Sequence, residues 1–304
     1  MKKFLYSIII LIIACSGAHS ENLRTLEANA KLGDAESMNK IGVMYHNGEG
    51  VEKNYSEAMK WYRQAAELGY ARAFDNMGWM YQNGQGVEKD LAKALECFRK
   101  GAEGNISRSI NQMGWFYAHG LGGLEQDYIK AAEYYKKAAL KGNTASQYNL
   151  GGLYANGQGV EQNYHEALRL FEQAGSKNHA GALRYAGYLY QHGKGTSTDR
   201  KKAFEYYSRA AELGDVVAMN NLGVMYSDGI YVARNVKKAF EWYKKAADKG
   251  YPLAQRNIGN MYEWGKGVSK NKARAREWYK KAASQNTDLK TKELAEKDLQ
   301  RIGK

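Results

Sequence analysis

The most conspicuous candidates for chemistry in this sequence are glycine pairs that could bind phosphate groups. Short Gly-x-Gly loops recur along the chain, as at residues 48–50 and 193–195. A phosphate-binding loop follows a β-strand and carries either Gly-Lys-Ser/Thr or the full dinucleotide spacing. These loops follow helical segments, show neither pattern and return about every 36 residues. The sequence therefore favours turns over phosphate sites.

Histidine and cysteine, which serve as metal ligands and catalytic groups, are scarce and poorly spaced. The chain has six histidines and two cysteines, Cys15 and Cys97. Beyond the first 20 residues no histidine pair has the i, i+4 spacing of a helical metal site, and no Gly-x-Ser-x-Gly motif occurs. Cys97 falls in an apolar segment and is expected to be a buried hydrophobic residue rather than a nucleophile. We expect no catalytic residue, no metal and no cofactor, and a protein that is not an enzyme.

Basic residues remain as candidates for holding an anionic ligand. Lys and Arg number 45 against 32 Asp and Glu, which gives a formal charge of +13. Many of these cations approach the ends of helical segments, where they complement the helix dipole. The alternative is a site for an acidic protein or an anionic envelope surface. Nucleic acid is not expected as a partner, because the amino terminus predicts export.

The amino terminus reads as a secretory signal peptide. Lys2 and Lys3 precede an apolar run over residues 4–14. This run is too short to span a bilayer, which needs ~20 apolar residues, and it suits the centre of a signal peptide. We expect residues 1–20 to be removed and the mature protein to be periplasmic, lipid-anchored in a bacterial envelope, or secreted.

Two cleavage routes stay open at this signal. Residues 18–20 (Ala-His-Ser) place small residues at the positions that ordinary cleavage before Glu21 requires. Residues 12–15 (Ile-Ile-Ala-Cys) resemble a bacterial lipobox, in which Cys15 would become the lipidated first residue.

The elements that must position any site are copies of a single repeat. Glycine recurs with spacings of 36, 36, 37, 36, 36 and 36 residues, and a tyrosine follows each copy by three residues. These interior glycines are Gly42, Gly78, Gly114, Gly151, Gly187, Gly223 and Gly259. A fixed period of this length is typical of an array in which each unit buries its apolar face against its neighbours.

Each copy carries its own helix boundaries. An Asn or Asp precedes the second apolar segment, where its side chain can accept hydrogen bonds from first-turn N–H groups. A Gly or Asn closes that segment, as expected of a residue in the left-handed conformation. The predicted N-caps are Asn54, Asp90, Asp127, Asn163, Asp199, Asn235 and Asn271. The predicted closing residues are Gly69, Asn105, Gly142, Asn178, Gly214, Gly250 and Asn286. Each repeat is thus predicted to be helix A, a glycine turn and helix B.

The interior glycine needs a physical reason, because glycine inside a helix costs ~1 kcal/mol relative to alanine. We expect close approach of helix A to helix B, with Ala58 and its equivalents opposite the glycine. Positions −4, −1 and +3 from the glycine, such as Phe74, Met77 and Tyr81, are expected to form the core.

Residues 221–226 (Asn-Leu-Gly-Val-Met-Tyr) and 239–247 (Ala-Phe-Glu-Trp-Tyr-Lys-Lys-Ala-Ala) show the repeat most completely. This pattern resembles the Sel1-like repeat (SLR) branch of the tetratricopeptide superfamily, and the likeness covers about residues 33–286. One branch of that family pairs cysteines in every repeat, and this chain does not. The resemblance implies an α-solenoid that binds other proteins. It also implies exported relatives that act in envelope assembly or host interaction, and others that are immunity proteins.

We predict an all-α fold, a right-handed α-solenoid of about seven 36-residue helix-turn-helix repeats over residues 34–286. Residues 21–33 align with the end of a helix B and are expected to form an amino-terminal capping helix. Residues 287–304 are expected to form a carboxy-terminal capping helix. Its expected apolar face comprises Leu289, Ala295, Leu299 and Ile302. No Pro- or Ser-rich linker divides the array.

Positions −3, +1 and +4 from the interior glycine lie opposite the expected core of helix A, on the face that would be concave, and they vary between copies. The residues selected below occupy positions −3 and +1. Positions that carry the same residue in every repeat are expected to maintain the fold, whereas positions that differ between repeats are free to serve a function. Trp, Tyr and Arg are also the usual hot-spot residues of protein interfaces. The predicted partner-binding residues are Asp75, Trp79, Asn111, Trp115, Tyr148, Arg184 and Tyr188. The alternative is that the aromatic residues only pack across neighbouring A helices.

Two classes of function fit these observations. The first is an exported, non-enzymatic scaffold or adaptor of the bacterial envelope that binds a protein partner on the concave face. Within this class the resemblance also allows an immunity protein that neutralises a secreted toxin, such as a phospholipase. The second class, an envelope-glycan-binding or glycan-modifying protein, draws on the aromatic residues but lacks a recognisable acid/base pair.

Overall fold

Sixteen helices follow one another along the part of the chain that the structure describes. The structure is a computed structural model covering residues 23–303, and this range contains no β-strand. The helices are residues 23–31 (α1), Ala35–Asn47 (α2), Tyr55–Glu67 (α3), Ala71–Asn83 (α4), Leu91–Glu103 (α5), Ser107–His119 (α6), Tyr128–Leu140 (α7), Thr144–Asn156 (α8), Tyr164–Ser176 (α9), Ala180–His192 (α10), Arg200–Glu212 (α11), Val216–Asp228 (α12), Val236–Asp248 (α13), Pro252–Trp264 (α14), Lys272–Ala283 (α15) and Leu289–Gly303 (α16). Helices α2 to α14 with even numbers are the A helices, and α3 to α15 with odd numbers are the B helices. The predicted all-α class is confirmed.

The helices form two compact units. Among the described residues, the first comprises 23–146 together with Gln158–Val160, and the second comprises Gln147–Gly157 and 161–303. Within the first unit each helix from α2 to α7 packs against the next, and within the second the same holds from α9 to α16. Each unit is therefore a stack of helix pairs, which is the arrangement of an α-solenoid.

The turn between helix A and helix B begins with a glycine in the left-handed conformation. Gly48 follows α2 with a φ of 80°, and its N–H donates to the carbonyl oxygen of Met44. Glycine adopts a positive φ without the steric penalty of a Cβ atom. The sixth repeat keeps this first glycine as Gly229. Two residues later, where the first repeat has Gly50, it has Tyr231 with a positive φ of 65°. Its ring contacts Phe204, with ring centroids 5.6 Å apart, so packing holds this strained position in place.

The predicted N-caps of the B helices are confirmed in all seven repeats. In α5, Asp90 Oδ1 accepts a hydrogen bond from the Lys93 backbone N–H at 2.9 Å. Each of the other predicted caps accepts the same bond from the third residue of its helix. Six of the predicted closing residues have a positive φ, but Asn286 does not, and that prediction was wrong. The physical reason is that α15 has 12 residues and ends at a cap formed by Ser284, ahead of the predicted position.

The interior glycine of each helix A faces an aromatic ring of helix B. A Cβ atom placed on Gly42 would lie 2.5 Å from the ring of Tyr62 and 3.2 Å from the Ala58 carbonyl oxygen. In every repeat the corresponding ring atom lies 2.5 to 2.9 Å from such a Cβ. The rings belong to Tyr62, Phe98, Tyr135, Phe171, Tyr207, Tyr243 and Tyr279. We call this contact the glycine–ring pair.

The glycine–ring pair adds to the expected reason for the glycine, which was close approach of the two helices at the alanine. The expected alanine contributes only a carbonyl contact, and the space left by the missing side chain is filled by the ring. None of the seven rings is more than 6% exposed. Full burial of such a side chain stabilises by ~1.5–3 kcal/mol, which exceeds the ~1 kcal/mol cost of a helical glycine.

The core face of helix A is wider than the expected one. Position −1 is buried in all seven repeats, and position −4 in all but the second, where Phe74 is half-buried. Position +3 is half-buried except at Tyr190, whereas position +2, such as Met80, is buried throughout. The core therefore comprises positions −4, −1 and +2, and position −3 lies at its edge.

The helices at the two ends of the described chain cover the terminal repeats. Leu26 of α1 belongs to the same buried cluster as Met38 of α2. In α16, Ala295 and Ile302 are buried as expected. Leu289 is 65% exposed, contrary to expectation, because it is the first residue of α16 and Thr291 occupies the buried position of that turn.

Within residues 23–303, no helix combines the length and the apolar character needed to cross a membrane. The predicted signal peptide and the candidate lipidation site Cys15 lie outside the described residues. Export and lipidation therefore stay predictions of the sequence.

Candidate partner-binding face

The predicted partner-binding residues lie on one face of the A helices at different depths. We use the term A-helix face for positions −3 and +1 from the interior glycines. At position −3, Asp75 is 3% exposed and Asn111 is 8% exposed. At position +1, Trp79 and Trp115 are half-buried, whereas Tyr188 is 39% exposed. The face thus has a buried polar layer beneath partly exposed aromatic rings.

In the first unit, polar side chains link neighbouring A helices. Asn76 Nδ2 donates to Asn39 Oδ1 at 2.9 Å, and Arg108 Nη2 donates to Asn76 Oδ1 at 2.8 Å. These side chains belong to α2, α4 and α6, so hydrogen bonds connect three successive A helices. We call Asn39, Asp75, Asn76, Arg108 and Ser109 the polar ladder.

Asp75 is the buried charge of the polar ladder. Its Oδ1 accepts from Ser109 Oγ at 2.6 Å, and its Oδ2 forms an ion pair with Arg108. The Arg108 side chain is itself 49% exposed, whereas that of Asp75 is 5% exposed. A buried carboxylate that loses its cation is strongly destabilising, so Asp75 supports the fold here. Arg108 was not singled out from the sequence, because a contact across 33 residues leaves no local signal.

Asn111 and Arg184 also make contacts inside the protein. Asn111 Oδ1 accepts from Ser146 Oγ at 2.7 Å. Arg184 Nε pairs with Asp215 Oδ2 at 3.0 Å, and the two side chains are 20% and 12% exposed. Because each contact reaches the start of the next helix A, both residues hold successive repeats together. Their role in partner binding stays a prediction.

The ring of Trp79 packs against the core of its repeat. Its ring meets that of Phe98 edge-on, with ring centroids 6.1 Å apart. The Arg108 guanidinium lies 5.6 Å from the Trp79 ring, within the range of a cation–π interaction. Trp79 Nε1 is buried and has no hydrogen-bond acceptor among the described residues. Only part of this side chain is therefore available to a partner.

Trp115 and Tyr188 each rest against a histidine one turn later in the same helix. The ring centroids of Trp115 and His119 are 4.9 Å apart, and those of Tyr188 and His192 are 4.4 Å apart. The Lys194 ammonium lies 5.4 Å from the Tyr188 ring. Tyr188 thus presents an exposed ring with a cation beside it.

Two adjoining cavities open along the A helices of the first unit. One, of about 590 Å³, is lined by Arg72, Lys141 and members of the polar ladder. The other, of about 490 Å³, is lined by Trp79 and several polar side chains. Both contain Val43, Asn76 and Arg108 in their walls. Because they share these residues, we treat them as one feature, the inner groove.

In the second unit, aromatic rings occupy the equivalent part of the A-helix face. Tyr148 stacks on His179 with ring centroids 4.5 Å apart, and Tyr185 stacks on Phe171 at 5.2 Å. The two tyrosine rings are 6.0 Å apart. Burial lowers the pKa of His179, which favours the neutral ring in this stack. We call these four residues the aromatic cluster.

Tyr185 is a surface residue that the sequence could have indicated. It is 38% exposed, and the Arg184 guanidinium lies 4.3 Å from its ring. Position −2 of helix A is Lys, Asn or Gln in every other repeat. The tyrosine at this otherwise polar position is the signal that identifies Tyr185. The position lies next to position −3, from which the predicted binding residues were selected.

Gly152 leaves a gap in the A-helix face of the second unit. It occupies position +1, where the other copies carry Val, Trp, Tyr or Asn. A Cβ atom on Gly152 would meet no other atom within 4 Å. The gap lies one helical turn beyond Tyr148, so a partner side chain has room beside that ring.

The basic ends of the B helices form a second candidate surface in the first unit, which shares Lys141 with the inner groove. A cavity of about 630 Å³ there is lined by Arg99, Lys137 and Lys141 together with Tyr134 and Leu140. Leu140 is 82% exposed. This surface is the alternative to the A-helix face for holding an acidic partner.

Cys97 is buried, which confirms the expectation of a hydrophobic role. Burial, aided by the neighbouring charge of Glu96, raises the pKa of its thiol to about 11, so the reactive thiolate is disfavoured. Within residues 23–303, no group of three or more His, Cys, Asp or Glu side chains is placed to hold a metal ion.

Comparison with known proteins recovers the repeat along the chain. The family model described as Sel1 repeat matches seven stretches. They are residues 35–70, 75–106, 107–143, 144–179, 180–215, 216–251 and 252–287. No match was found among curated proteins.

Two solved structures are similar over most of this chain. One is c5321, described as a protective antigen present in uropathogenic Escherichia coli strains and displaying an SLR fold. It is 33% identical with a TM-score of 0.77, and the match covers 91% of this chain and 58% of that one. A Sel1 repeat protein from Oxalobacter formigenes is 30% identical with a TM-score of 0.71, covering 94% of this chain and 81% of that one.

A third solved structure is less similar. The immunity protein Pa5087 from Pseudomonas aeruginosa is 20% identical, and the match covers 76% of this chain and 81% of that one. Its TM-score of 0.44 is too low to support a common function.

Proposed function

This chain belongs to the Sel1 repeat family, and from that premise we propose that it is a non-enzymatic protein-binding scaffold exported to the bacterial envelope. Sel1 repeats generally mediate protein–protein interaction. The observation that supports the proposal most is the contrast between two sets of positions. The glycine–ring pair occurs in all seven repeats, whereas the A-helix face changes from copy to copy. We propose the A-helix face as the binding surface.

Tyr188 is the most direct probe of this surface. It is 39% exposed, and tyrosine is a common hot-spot residue. A photo-crosslinking amino acid at position 188 of the mature chain is expected to capture a specific protein from an envelope extract. The same group at Leu213, which is 46% exposed at the end of a B helix in the same unit, serves as the control. Equal capture at both positions would overturn the proposed surface.

A pair of substitutions tests whether the captured protein depends on this face. Tyr185→Ala with Tyr188→Ala is expected to weaken binding about thirtyfold or more, the loss typical of a true hot spot. Leu213→Ala with Leu289→Ala removes two exposed apolar side chains elsewhere in the second unit and is expected to bind normally. Trp79 and Trp115 are poorer probes, because both are half-buried and their loss would also affect folding. A captured partner that proves to be a secreted toxin would turn the scaffold role into an immunity role.

The proposal of export rests on the sequence of residues 1–20. Cell fractionation is expected to find a shortened chain outside the cytoplasm. Cys15→Ala separates the two cleavage routes, because only a lipoprotein would lose membrane association. Recovery of the full-length chain in the cytosol would contradict export.

A further inference from the structure

We propose that the inner groove binds an extended acidic segment of the partner protein. This inference rests on the proposed function and adds the chemistry of the partner to it. The walls of the groove carry three cations, Arg72, Arg108 and Lys141, and one carboxylate, Asp75. Asp75 is already paired with Arg108. The groove therefore presents excess positive charge to whatever enters it.

Two of these cations are available to a ligand. Arg72 and Lys141 are exposed, and among the described residues neither takes part in an ion pair or a side-chain hydrogen bond. Both line the larger cavity of the groove, and Lys141 also borders the cavity at the ends of the B helices, whereas Arg72 does not. An acidic ligand would therefore gain their attraction without breaking a contact inside the protein.

The amino-terminal end of α6 adds to the positive potential of the groove. Ile106 and Ser107 line the larger cavity, and Ile106 is an N-cap whose side chain accepts no hydrogen bond. The first N–H groups of α6 therefore receive no side-chain cap, and the positive end of the helix dipole adds to the charge of the groove. This effect supports the cations and does not replace them.

The remaining lining chemistry favours a peptide over a small inorganic anion. Asn39, Asn76, Asn83 and Gln85 line the groove, and amide side chains can both donate to and accept from a peptide backbone. Trp79, in the wall of the smaller cavity, has a buried N–H without an acceptor. A buried donor without an acceptor destabilises the protein. An acceptor on a ligand in the adjoining cavity would satisfy this donor.

The length of the groove sets the length of the segment. Its walls come from α2, α4 and α6 together with Lys141 after α7. Packed helix axes lie ~8–10 Å apart, so three A helices in succession span ~20 Å. An extended chain rises ~3.3 Å per residue, so about six residues cover this distance.

The test uses the mature chain and defined probes in a fluorescence anisotropy measurement. One probe is a labelled hexapeptide pool with Asp or Glu at alternate positions, and its matched counterpart has Asn or Gln at those positions. The acidic pool is expected to bind about tenfold more tightly than the amide pool. Arg72→Gln with Lys141→Gln is expected to weaken binding of the acidic pool about tenfold. Trp79→Phe, which keeps a ring and removes the N–H donor, is expected to weaken it about fivefold.

A matched control carries the same change in charge. Arg200→Gln with Lys249→Gln removes two exposed cations of the second unit. Lys249 is the C-cap residue of α13, as Lys141 is of α7. This variant is expected to bind the acidic pool as the unmodified chain does. An equal loss of affinity in both variants would mean that binding depends on overall charge and not on the groove.

Three further results would overturn the inference. They are equal binding of the acidic and amide pools, undiminished binding by the groove variant, and binding confined to phosphatidylglycerol vesicles, which would make the ligand a lipid anion. Crosslinking at position 188 separates this failure from failure of the proposed function. If position 188 still captures its partner while the groove variant changes nothing, the A-helix face binds a protein and the acidic segment is wrong. If position 188 captures nothing, the proposed function itself fails.

Discussion

The A-helix face differs between the two units, although both are built on the same glycine–ring pair. In the second repeat, which lies in the first unit, position −3 is Asp75, a buried carboxylate within a hydrogen-bonded ladder. In helix A of the fourth repeat, which lies in the second unit, the same position is Tyr148, whose ring stacks on His179. The glycine–ring pair is thus the same in both units, whereas the residues of the A-helix face differ in their chemistry and in the contacts they make inside the protein.

The aromatic cluster is a local exception and not a property of the whole second unit. Toward its end the polar contacts return, with Asn257 Nδ2 donating to Asn220 Oδ1 at 2.9 Å. Arg256 Nε also pairs with the buried Asp298 at 2.7 Å. The aromatic residues replace polar ones only in the fourth and fifth repeats, and polar contacts occur both before and after these repeats in the sequence. Such a local change indicates a function of these two repeats more strongly than a gradual change along the chain would.

The largest expected effect tests the element that the two units share. Gly42→Leu in the first unit and Gly223→Leu in the second force a side chain into a ring that lies 2.5 Å from the missing Cβ in both cases. Overpacking of this kind costs ~1–3 kcal/mol or more, and both variants are expected to reach the upper end. Chemical denaturation would measure the loss in the free energy of unfolding. An unchanged value for either variant would mean that the glycine–ring pair is not common to both units.

The next effect tests the element in which the units differ. Asp75→Asn keeps the shape of the side chain but removes the charge that pairs with Arg108, and it is expected to lower the free energy of unfolding by ~1–3 kcal/mol. Tyr148→Phe keeps the stacked ring at the equivalent position and is expected to cost less than ~1 kcal/mol. Thermal melting of the two variants side by side would check this. Similar losses would contradict the distinction between a charged ladder and an aromatic stack.

Two adjacent glycines of α8 sharpen the separation between core and face. A Cβ on Gly151 would lie 2.8 Å from the Phe171 ring, whereas a Cβ on Gly152 would meet nothing within 4 Å. Gly152→Ala is therefore expected to raise the free energy of unfolding by ~0.5–1 kcal/mol, the usual gain of alanine over glycine inside a helix. Gly151→Ala is expected to lower it. A common sign for the two substitutions in a denaturation experiment would contradict the assignment of one glycine to the core and the other to the face.

The parts of this structure that could be predicted from the sequence are local and repeated. A cap such as Asn163 satisfies N–H groups within its own helix, so its neighbours in the sequence identify it. The exception is Asn286, where no further helix A of the same kind follows and α15 ends early. Repetition identifies a position only while the repeat continues.

The parts that could not be predicted depend on how helices rotate and stack. The core was expected at positions −4, −1 and +3 and is found at −4, −1 and +2, so Asp75 at position −3 lies at its buried edge and not on an open face. Its contact with Arg108 then follows from the stacking of two repeats, which neither segment encodes alone. Tyr185 is different, because its departure from the Lys, Asn and Gln of the other copies was visible in the sequence.

The smallest expected effect concerns the response of the helix caps to acid. The hydrogen bond from the Lys93 backbone N–H lowers the pKa of Asp90 below its ordinary 3.8, and the bond from the Lys130 N–H does the same for Asp127. A carboxyl group whose pKa falls on folding binds fewer protons in the folded protein than in the unfolded chain. Its stabilising effect is therefore complete above the unfolded pKa and is lost as the pH falls through the lowered folded value.

The asparagine caps provide the comparison, because they do not titrate. Asp90→Asn with Asp127→Asn is expected to melt close to the unmodified chain near neutral pH, since Asn and Asp are similar N-caps. It is expected to lose less stability than the unmodified chain as the pH falls below about 4. Asn163→Ala in the second unit is expected to lower the free energy of unfolding by ~0.5–2 kcal/mol with no such pH dependence. Melting temperatures measured across this pH range would check both expectations, and an unchanged acid response in the double variant would assign the sensitivity to other carboxylates.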